Sequence, residues 1–254
     1  MDFFGFDLGP LIPFILIGFA AQIVDGALGM AFGVITSTLM VGLLGVPPAL
    51  ASQRVHLVEC FTTATSGISH LIHRNIDKRL FFRLLIPGVA GGIVGTYLLT
   101  SIDGEAIKPF ILVYLAGIGI WLLVRGLLYP PKLRDAKHVA PLGLLGGFLD
   151  ATGGGGWGPV VTSNLLIQGA EPRKVVGTVN SVEFFLTLSI SISFVYHVGI
   201  SHIAGATLGL IVGGIAAAPF GALVAKHLSP KVMLVIVGAV LSLTSAYGIW
   251  TALI

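Results

Sequence analysis

Four carboxylic acids stand inside apolar stretches of this sequence, where a charged side chain is costly. They are Asp25, Asp150, Glu59 and Glu183. In a membrane such acids persist when they face a cavity, pair with a cationic group or carry a proton. The chemistry they offer is therefore proton or ion coupling, with helix capping as the alternative for the two aspartates.

The acids belong to two pairs of similar segments. Residues 23–33 resemble residues 148–158 at an offset of 125, and each of these segments holds one of the aspartates. Residues 55–63 resemble residues 179–187 at an offset of 124, and each of these holds one of the glutamates. Two matches in the same order at nearly the same offset predict an internal duplication.

Glycines interrupt the hydrophobic pattern beside both aspartates. They are Gly26, Gly29 and Gly33 in the first half, and Gly153, Gly154, Gly155 and Gly156 in the second. Without a β-carbon the chain can take a positive φ, and a ligand can reach backbone amides. A half-helix that starts after each break, at about Phe32 or Pro159, points free N–H groups and a positive dipole end at the break, which favours an anion. The alternative is close helix packing, which we assign to the glycines spaced by four over 88–95 and 205–213.

Further polar residues stand near the glutamates. His56 and Asn180 precede Glu59 and Glu183 by about one helical turn, so each shares a helix face with its glutamate. They are candidate ligand contacts, with a helix–helix hydrogen bond as the simpler alternative. The predicted substrate-binding set is His56, Asn180, Ser181, Trp157 and the seven glycines above, and the four acids are the predicted proton or ion coupling set.

No enzyme, cofactor or metal site is predicted. A catalytic aspartyl pair at Asp25 and Asp150 lacks the sequence contexts of intramembrane proteases. His56, Glu59 and Glu183 match no established metal motif. The single cysteine, Cys60, excludes an internal disulfide.

The elements that position these residues are membrane helices. The 254 residues have a mean hydropathy of +0.99 and are only 10% charged, whereas soluble domains have about 25% charged residues. This composition predicts an all-α membrane protein, a polytopic helical bundle. The hydrophobic segments are residues 10–24, 30–45, 51–72, 80–100 and 106–129 in the first half, and 140–150, 158–169, 174–197, 202–225 and 231–253 in the second. The first two of each half are short, which indicates broken or re-entrant helices.

An odd number of crossings per half, three or five, makes the two repeats inverted relative to each other. Placing the loop after the third segment in the cytoplasm puts 12 of the 14 Lys and Arg residues on that side, as the positive-inside rule expects. Residues 1–130 are then the first repeat, 131–138 a cytoplasmic linker and 139–254 the second repeat. Both termini are predicted outside the cytoplasm. The basic pI of about 9.1 reports this topology, and no nucleic-acid partner is expected.

Inverted repeats with broken helices are typical of secondary transporters, whose substrates bind where the half-helix ends converge. The segments at 52–59, 153–159 and 177–185 resemble those of the sulfite exporter TauE/SafE family, and the resemblance extends from about Leu16 to Trp250. It implies a bacterial inner-membrane transporter of sulfite or organosulfonate-type anions that does not hydrolyse ATP. Many members carry a Thr-Ser-Leu-like stretch where this chain has Arg54-Val55-His56 and Val179-Asn180-Ser181, a difference that bears on the substrate.

The resulting hypothesis is export of a sulfur-containing anion, coupled to protons, by alternating access. The alternatives are a passive anion channel and a cation or metal transporter that uses the buried acids. The expected partners are a small anionic substrate and the lipid bilayer, and a homodimer is left open.

Overall fold

The structure is a computed structural model. It describes the chain except residues 1, 4, 5, 8, 29, 73, 129–136, 169, 171, 200–203, 228, 229 and 254. The predicted Gly29 and most of the predicted linker, 131–138, therefore lie outside the described residues.

Helices dominate the described part of the chain, as the composition predicts. The first half contains α1 (Ile12–Leu28), α2 (Phe32–Gly42), α3 (Pro48–Ile72), α4 (Lys78–Ser101) and α5 (Gly104–Leu128). The second contains α6 (Val139–Gly153), a π-helical turn (Gly158–Thr162) that leads into α7 (Ser163–Gln168), α8 (Pro172–Val198), α9 (Ala204–His227) and α10 (Pro230–Leu253). Two short strands, β1 (Asp2–Phe3) and β2 (Phe6–Asp7), pair antiparallel, with Asp2 opposite Asp7, and a 3₁₀ turn (Gly9–Leu11) precedes α1.

Both breaks begin later than the glycines suggested. Asp25 and Gly26 are still helical in α1, and Gly153 is the last residue of α6. A glycine inside a helix costs only about 1 kcal/mol relative to alanine, and packing of the rest of the helix offsets that cost. The second break turns at Gly154 and Gly155, whose φ angles are +67° and +132°. In the first break the positive φ is instead at Ala31, at +98°.

Helices of the two halves exchange partners. α1 packs on α9, and the corresponding α6 packs on α4. The two third helices, α3 and α8, pack on each other, as do α5 and α10. This is the pattern expected for two halves related by a two-fold axis. Small residues allow the close approaches: a β-carbon on Gly91 would strike the backbone of Leu144, and one on Gly213 would strike that of Ile15. The packing role predicted for these glycines is confirmed.

Three described helical stretches are long and apolar enough to cross a membrane: Lys78–Ser101, Pro109–Leu128 and Lys174–Val198. α2 has 11 residues and α6 has 15, so both are shorter than the roughly 20 residues that a full crossing needs. The predicted segments over 202–225 and 231–253 correspond to α9 and α10, and the side chains in part of each helix lie outside the described residues. Large apolar side chains such as Phe110, Ile215 and Leu243 are more than 70% exposed, as expected of surfaces that contact lipid tails.

Candidate functional site

The two glycine-rich breaks touch each other at the centre of the bundle. A β-carbon on Gly155 would collide with the backbone of Gly33 and Val34. A β-carbon on Gly33 would lie 2.7 Å from the Gly155 Cα and 2.8 Å from the Glu59 Oε1. Only glycine fits at either position, so the first turn of α2 and the break after α6 form one site.

A small polar cavity, with room for about one water molecule, lies at this contact. All four predicted acids line it, together with backbone from both breaks: Asp25, Glu59, Asp150, Glu183, residues 31–34, Gly155, Gly156, Gly158 and Pro159. The residues at 32–34 form the first turn of α2, where an α-helix leaves backbone N–H groups without intrahelical acceptors. On the opposite wall stands the π-helical turn, a local geometry that is common at functional sites.

Asp150 organises the second break. Its Oδ1 accepts the backbone N–H of Gly156 at 2.7 Å and that of Trp157 at 2.9 Å. The backbone N–H of Gly155 donates to the Asp150 carbonyl at 3.0 Å. The residue is only 1% exposed. The capping role that the sequence left as an alternative is therefore present at Asp150, and the other carboxylate oxygen is still available to a further partner.

That partner is His56, whose Nε2 lies 3.1 Å from the Asp150 Oδ2. The His56 Nδ1 lies 2.7 Å from the Ser52 carbonyl oxygen and 3.2 Å from the Ser52 hydroxyl. The hydroxyl gives its hydrogen to the Ala151 carbonyl at 2.6 Å, so both groups beside Nδ1 accept. Nδ1 must then carry a hydrogen. The His56 Nε2 and the Asp150 Oδ2 form a buried ion pair when the imidazole is protonated.

Glu59 faces the same cavity from α3. The residue is 5% exposed, and its Oε2 is buried with no hydrogen-bond partner among the described residues. A buried carboxylate without a partner is costly as an ion. Glu183, which occupies the equivalent position on α8, also lines the cavity but is less buried.

Asp25 repeats the Asp150 arrangement more loosely. Its Oδ1 accepts the backbone N–H of Phe32 at 3.4 Å, and Phe32 corresponds to Trp157 in the second half. The capping alternative is thus present at both aspartates. The hydrogen bond at Asp25 is long, whereas those at Asp150 are short.

The remaining predicted residues have varied surroundings. Gly26 lies in the last turn of α1, and Gly153 packs against the Tyr114 ring. The Trp157 side chain is buried against Gly88 and Gly146, and its Nε1–H donates to the Val179 carbonyl at 3.3 Å, so the indole does not line the cavity.

Ser181 and Asn180 follow each other on α8. Ser181 donates to the Gly177 carbonyl at 2.7 Å and lines a different, apolar cavity. Asn180 is half-buried. Among the described residues, no cluster of three or more His, Cys, Asp or Glu side chains is arranged to hold a metal ion.

Two residues at the site were missed by the sequence analysis. Ser37 of α2 donates to the Gly154 carbonyl and so ties the two breaks together. It belongs to the run Thr36-Ser37-Thr38, and three hydroxyls inside an apolar segment were a usable signal. Tyr114 of α5 places its buried hydroxyl against Gly156, with no hydrogen-bond partner among the described residues. One tyrosine in an apolar helix carries no such signal.

Comparison with known proteins identifies the family. The sequence model of the family described as "Sulfite exporter TauE/SafE" matches residues 14–248. The chain belongs to the sulfite exporter TauE/SafE family. The resemblance seen in the sequence is thereby confirmed, and this TauE/SafE chain is a membrane transporter with membrane-spanning helices.

Two curated relatives of this TauE/SafE chain agree. The "Probable membrane transporter protein YtnM" of Bacillus subtilis (strain 168) is 43% identical over 246 residues, which cover 93% of this chain and 81% of the relative. A "Probable membrane transporter protein" of Haemophilus influenzae is 27% identical over 213 residues, which cover 78% of this chain and 81% of the relative. No solved structure gives a significant match.

Proposed function

We propose that this transporter moves a small sulfur-containing anion, sulfite or an organosulfonate, across the bacterial inner membrane as a proton-coupled secondary exporter. The observation that carries the proposal is the contact of the two breaks, Gly33 against Gly155, beside a cavity lined by four carboxyl groups. Backbone N–H donors and four carboxyl groups therefore meet at one point.

The anion is favoured by the backbone. The first turn of α2 presents N–H groups and the positive end of its dipole to the cavity. Sulfite and sulfonates offer three oxygens to such donors. A protonated His56 at 3.1 Å would offset the charge of the Asp150 carboxylate.

The acids make anion binding depend on protons. An ionised carboxylate about 4 Å from the substrate repels it by about 4 kcal/mol at an effective dielectric constant near 20. The anion therefore binds when Glu59 carries a proton, and the His56–Asp150 pair supplies a second proton site next to it. The proton and the anion then cross together. A dianion that crosses with one proton has one net negative charge, and an inside-negative potential drives it outwards by about 2.3 kcal/mol per 100 mV.

The two halves supply the alternating access. The exchange of partners between α1 and α9 and between α6 and α4 supports two repeats that rock against each other. The charge distribution orients them with the loop between α3 and α4 in the cytoplasm and both termini outside.

A cation or metal transporter is the second candidate, since the four acids line the same cavity. In that case the carboxylates would ligate the cargo and protons would compete with it. The two candidates predict opposite effects of pH on binding. Lower pH strengthens anion binding and weakens cation binding.

The test is flux in proteoliposomes with labelled sulfite and labelled sulfoacetate, with and without a pH gradient. We expect saturable flux of at least one of the two anions that follows the pH gradient. Linear ohmic current would indicate a passive channel instead, and uptake of a divalent cation without flux of either anion would overturn the proposal.

Glu59→Gln isolates the coupling step. Glutamine imitates the protonated acid, so anion binding should persist while pH-driven flux falls roughly tenfold or more. The matched control is Asp103→Asn, at an exposed position just before α5, which should leave flux unchanged. If Glu59→Gln keeps the pH dependence of the parent protein, Glu59 does not carry the coupled proton, and Glu183→Gln then becomes the deciding variant.

A further inference from the structure

A groove on the side of the bundle joins an apolar cavity to a cluster of cations. The apolar cavity has a volume of about 310 Å³ and lies where α3, α4 and α8 meet. A second cavity, of about 570 Å³, adjoins it at the loop between α3 and α4. The two share Leu71, Ile76 and Phe81 as lining residues, so they form one continuous groove.

The two ends of the groove differ in chemistry. The inner end is lined by apolar surfaces, among them Ala64, Gly67, Ile68, Phe184 and Phe185. The outer end is lined by Arg74, Lys78 and Lys174. Lys174 Nζ donates to the Arg74 carbonyl at 2.8 Å, which fixes one cation against the loop. Among the described residues that line either cavity, none is acidic.

The nearest acid on the loop is already engaged. Asp77 caps α4 by accepting the backbone N–H of Arg79 at 2.8 Å and that of Leu80 at 3.0 Å. The backbone N–H of Asp77 in turn donates to the Thr178 hydroxyl on α8 at 2.8 Å. These bonds hold the loop against α8, and the three cations outnumber this one acid, so the mouth of the groove carries a net positive charge.

We propose that this groove binds one anionic phospholipid, with its headgroup on Arg74, Lys78 and Lys174 and an acyl chain in the apolar cavity. The dimensions fit one leaflet. The lining residues on α3 extend from Thr63 to Leu71, about 12 Å at helical rise, against about 15 Å for half of the hydrocarbon core. Charge complementarity selects an anionic headgroup, and the apolar lining excludes a hydrated anion as the occupant of the inner end. The proposal does not depend on which substrate the central site carries.

The test is native mass spectrometry of the full chain, delipidated in mild detergent and then titrated with phosphatidylglycerol or phosphatidylethanolamine. We expect one tightly held phosphatidylglycerol and clearly weaker binding of phosphatidylethanolamine. The double variant Arg74→Gln/Lys78→Gln should bind phosphatidylglycerol roughly 25-fold more weakly. The matched control Lys137→Gln/Lys231→Gln removes two exposed charges elsewhere and should bind it as the parent protein does.

A second variant tests the acyl-chain end of the groove. Ala64→Phe fills the apolar cavity without changing charge, and it should weaken phosphatidylglycerol binding while the variant remains folded in detergent. The proposal would be overturned if the two double variants lost phosphatidylglycerol binding equally. It would also be overturned if Ala64→Phe bound this lipid as tightly as the parent protein does. Displacement of the bound lipid by millimolar sulfite would show instead that the cations form a vestibule for the transported anion.

Discussion

The first and second breaks have the same plan but differ in how firmly they are held. In the second, the Asp150 carboxylate accepts two backbone N–H groups within 2.9 Å and also contacts His56. In the first, the described bond of the Asp25 carboxylate is a single one of 3.4 Å, from Phe32. The described backbone shows the same contrast, since the positive φ angles of the second break fall on glycines, whereas in the described part of the first break Ala31 has a positive φ.

This contrast suggests a division of labour between the halves. The second break is a fixed wall, because its aspartate is tied to its own backbone and to α3 of the other half. The first break is the part with backbone strain and weak capping, and such segments are the ones that move with least cost. We therefore expect substrate binding to change the first break more than the second.

Removal of the two aspartates should give the largest difference. Asp150→Ala leaves two buried N–H donors without an acceptor, and we expect it to lower the free energy of unfolding by about 3 kcal/mol or more. Asp25→Ala removes one weak cap and should cost about 1 kcal/mol. The measurement is thermal unfolding in detergent. Unfolding is monitored through the reaction of a thiol dye with the single cysteine, Cys60. Equal losses in the two variants would contradict the contrast between the breaks.

The glycine contact should give the next largest effect. Gly155→Ala combines a backbone collision with Gly33 and an unfavourable φ of +132°, so we expect a loss of about 3 kcal/mol and no transport. The added carbon of Gly33→Ala collides with Gly155, but the backbone φ at residue 33 is helical. We therefore expect this variant to lower the free energy of unfolding by about 2 kcal/mol. The control is Gly45→Ala, where φ is +63° and no atom lies within 4 Å of the added carbon, with an expected loss of about 1 kcal/mol. Wild-type flux in Gly155→Ala would show that the contact is not needed.

The smallest effect should be a gain. Ala31→Gly relieves the φ of +98° at the start of α2, and we expect the protein to become more stable by about 1 kcal/mol. Ala116→Gly, inside α5, is the matched control and should lose about 1 kcal/mol. If Ala31→Gly also loses stability in the Cys60 assay, the first break is not strained, and another cause must explain its weak cap.

Much of the fold follows from local patterns in the sequence. The order of hydrophobic segments predicted the helices, and the repeated blocks placed Asp25, Glu59, Asp150 and Glu183 at equivalent positions. Their joint appearance around one cavity follows from that repetition, because equivalent residues of two packed halves converge. Long-range side-chain contacts do not follow in the same way. The His56–Asp150 pair joins residues 94 positions apart, and no periodicity in either segment encodes it.

Residues in one half were also harder to interpret when their role depends on the other half. Ser37 bonds to Gly154 in the second half, so the partner that explains the hydroxyl is absent from its own segment. Trp157 was grouped with the site because it follows the glycine run, whereas the turn after Gly156 directs the indole toward α4. Proximity in sequence to the glycine run gave no information on the direction of the ring.

The contact between Gly33 and Gly155 also has an electrical consequence. Two backbones this close leave no room for a water molecule between them, so no file of water can conduct protons through that contact. In the proposed alternating-access cycle, this closed contact would block one route by which an idle transporter could leak protons down the voltage across the membrane, and two residues without side chains would form the block.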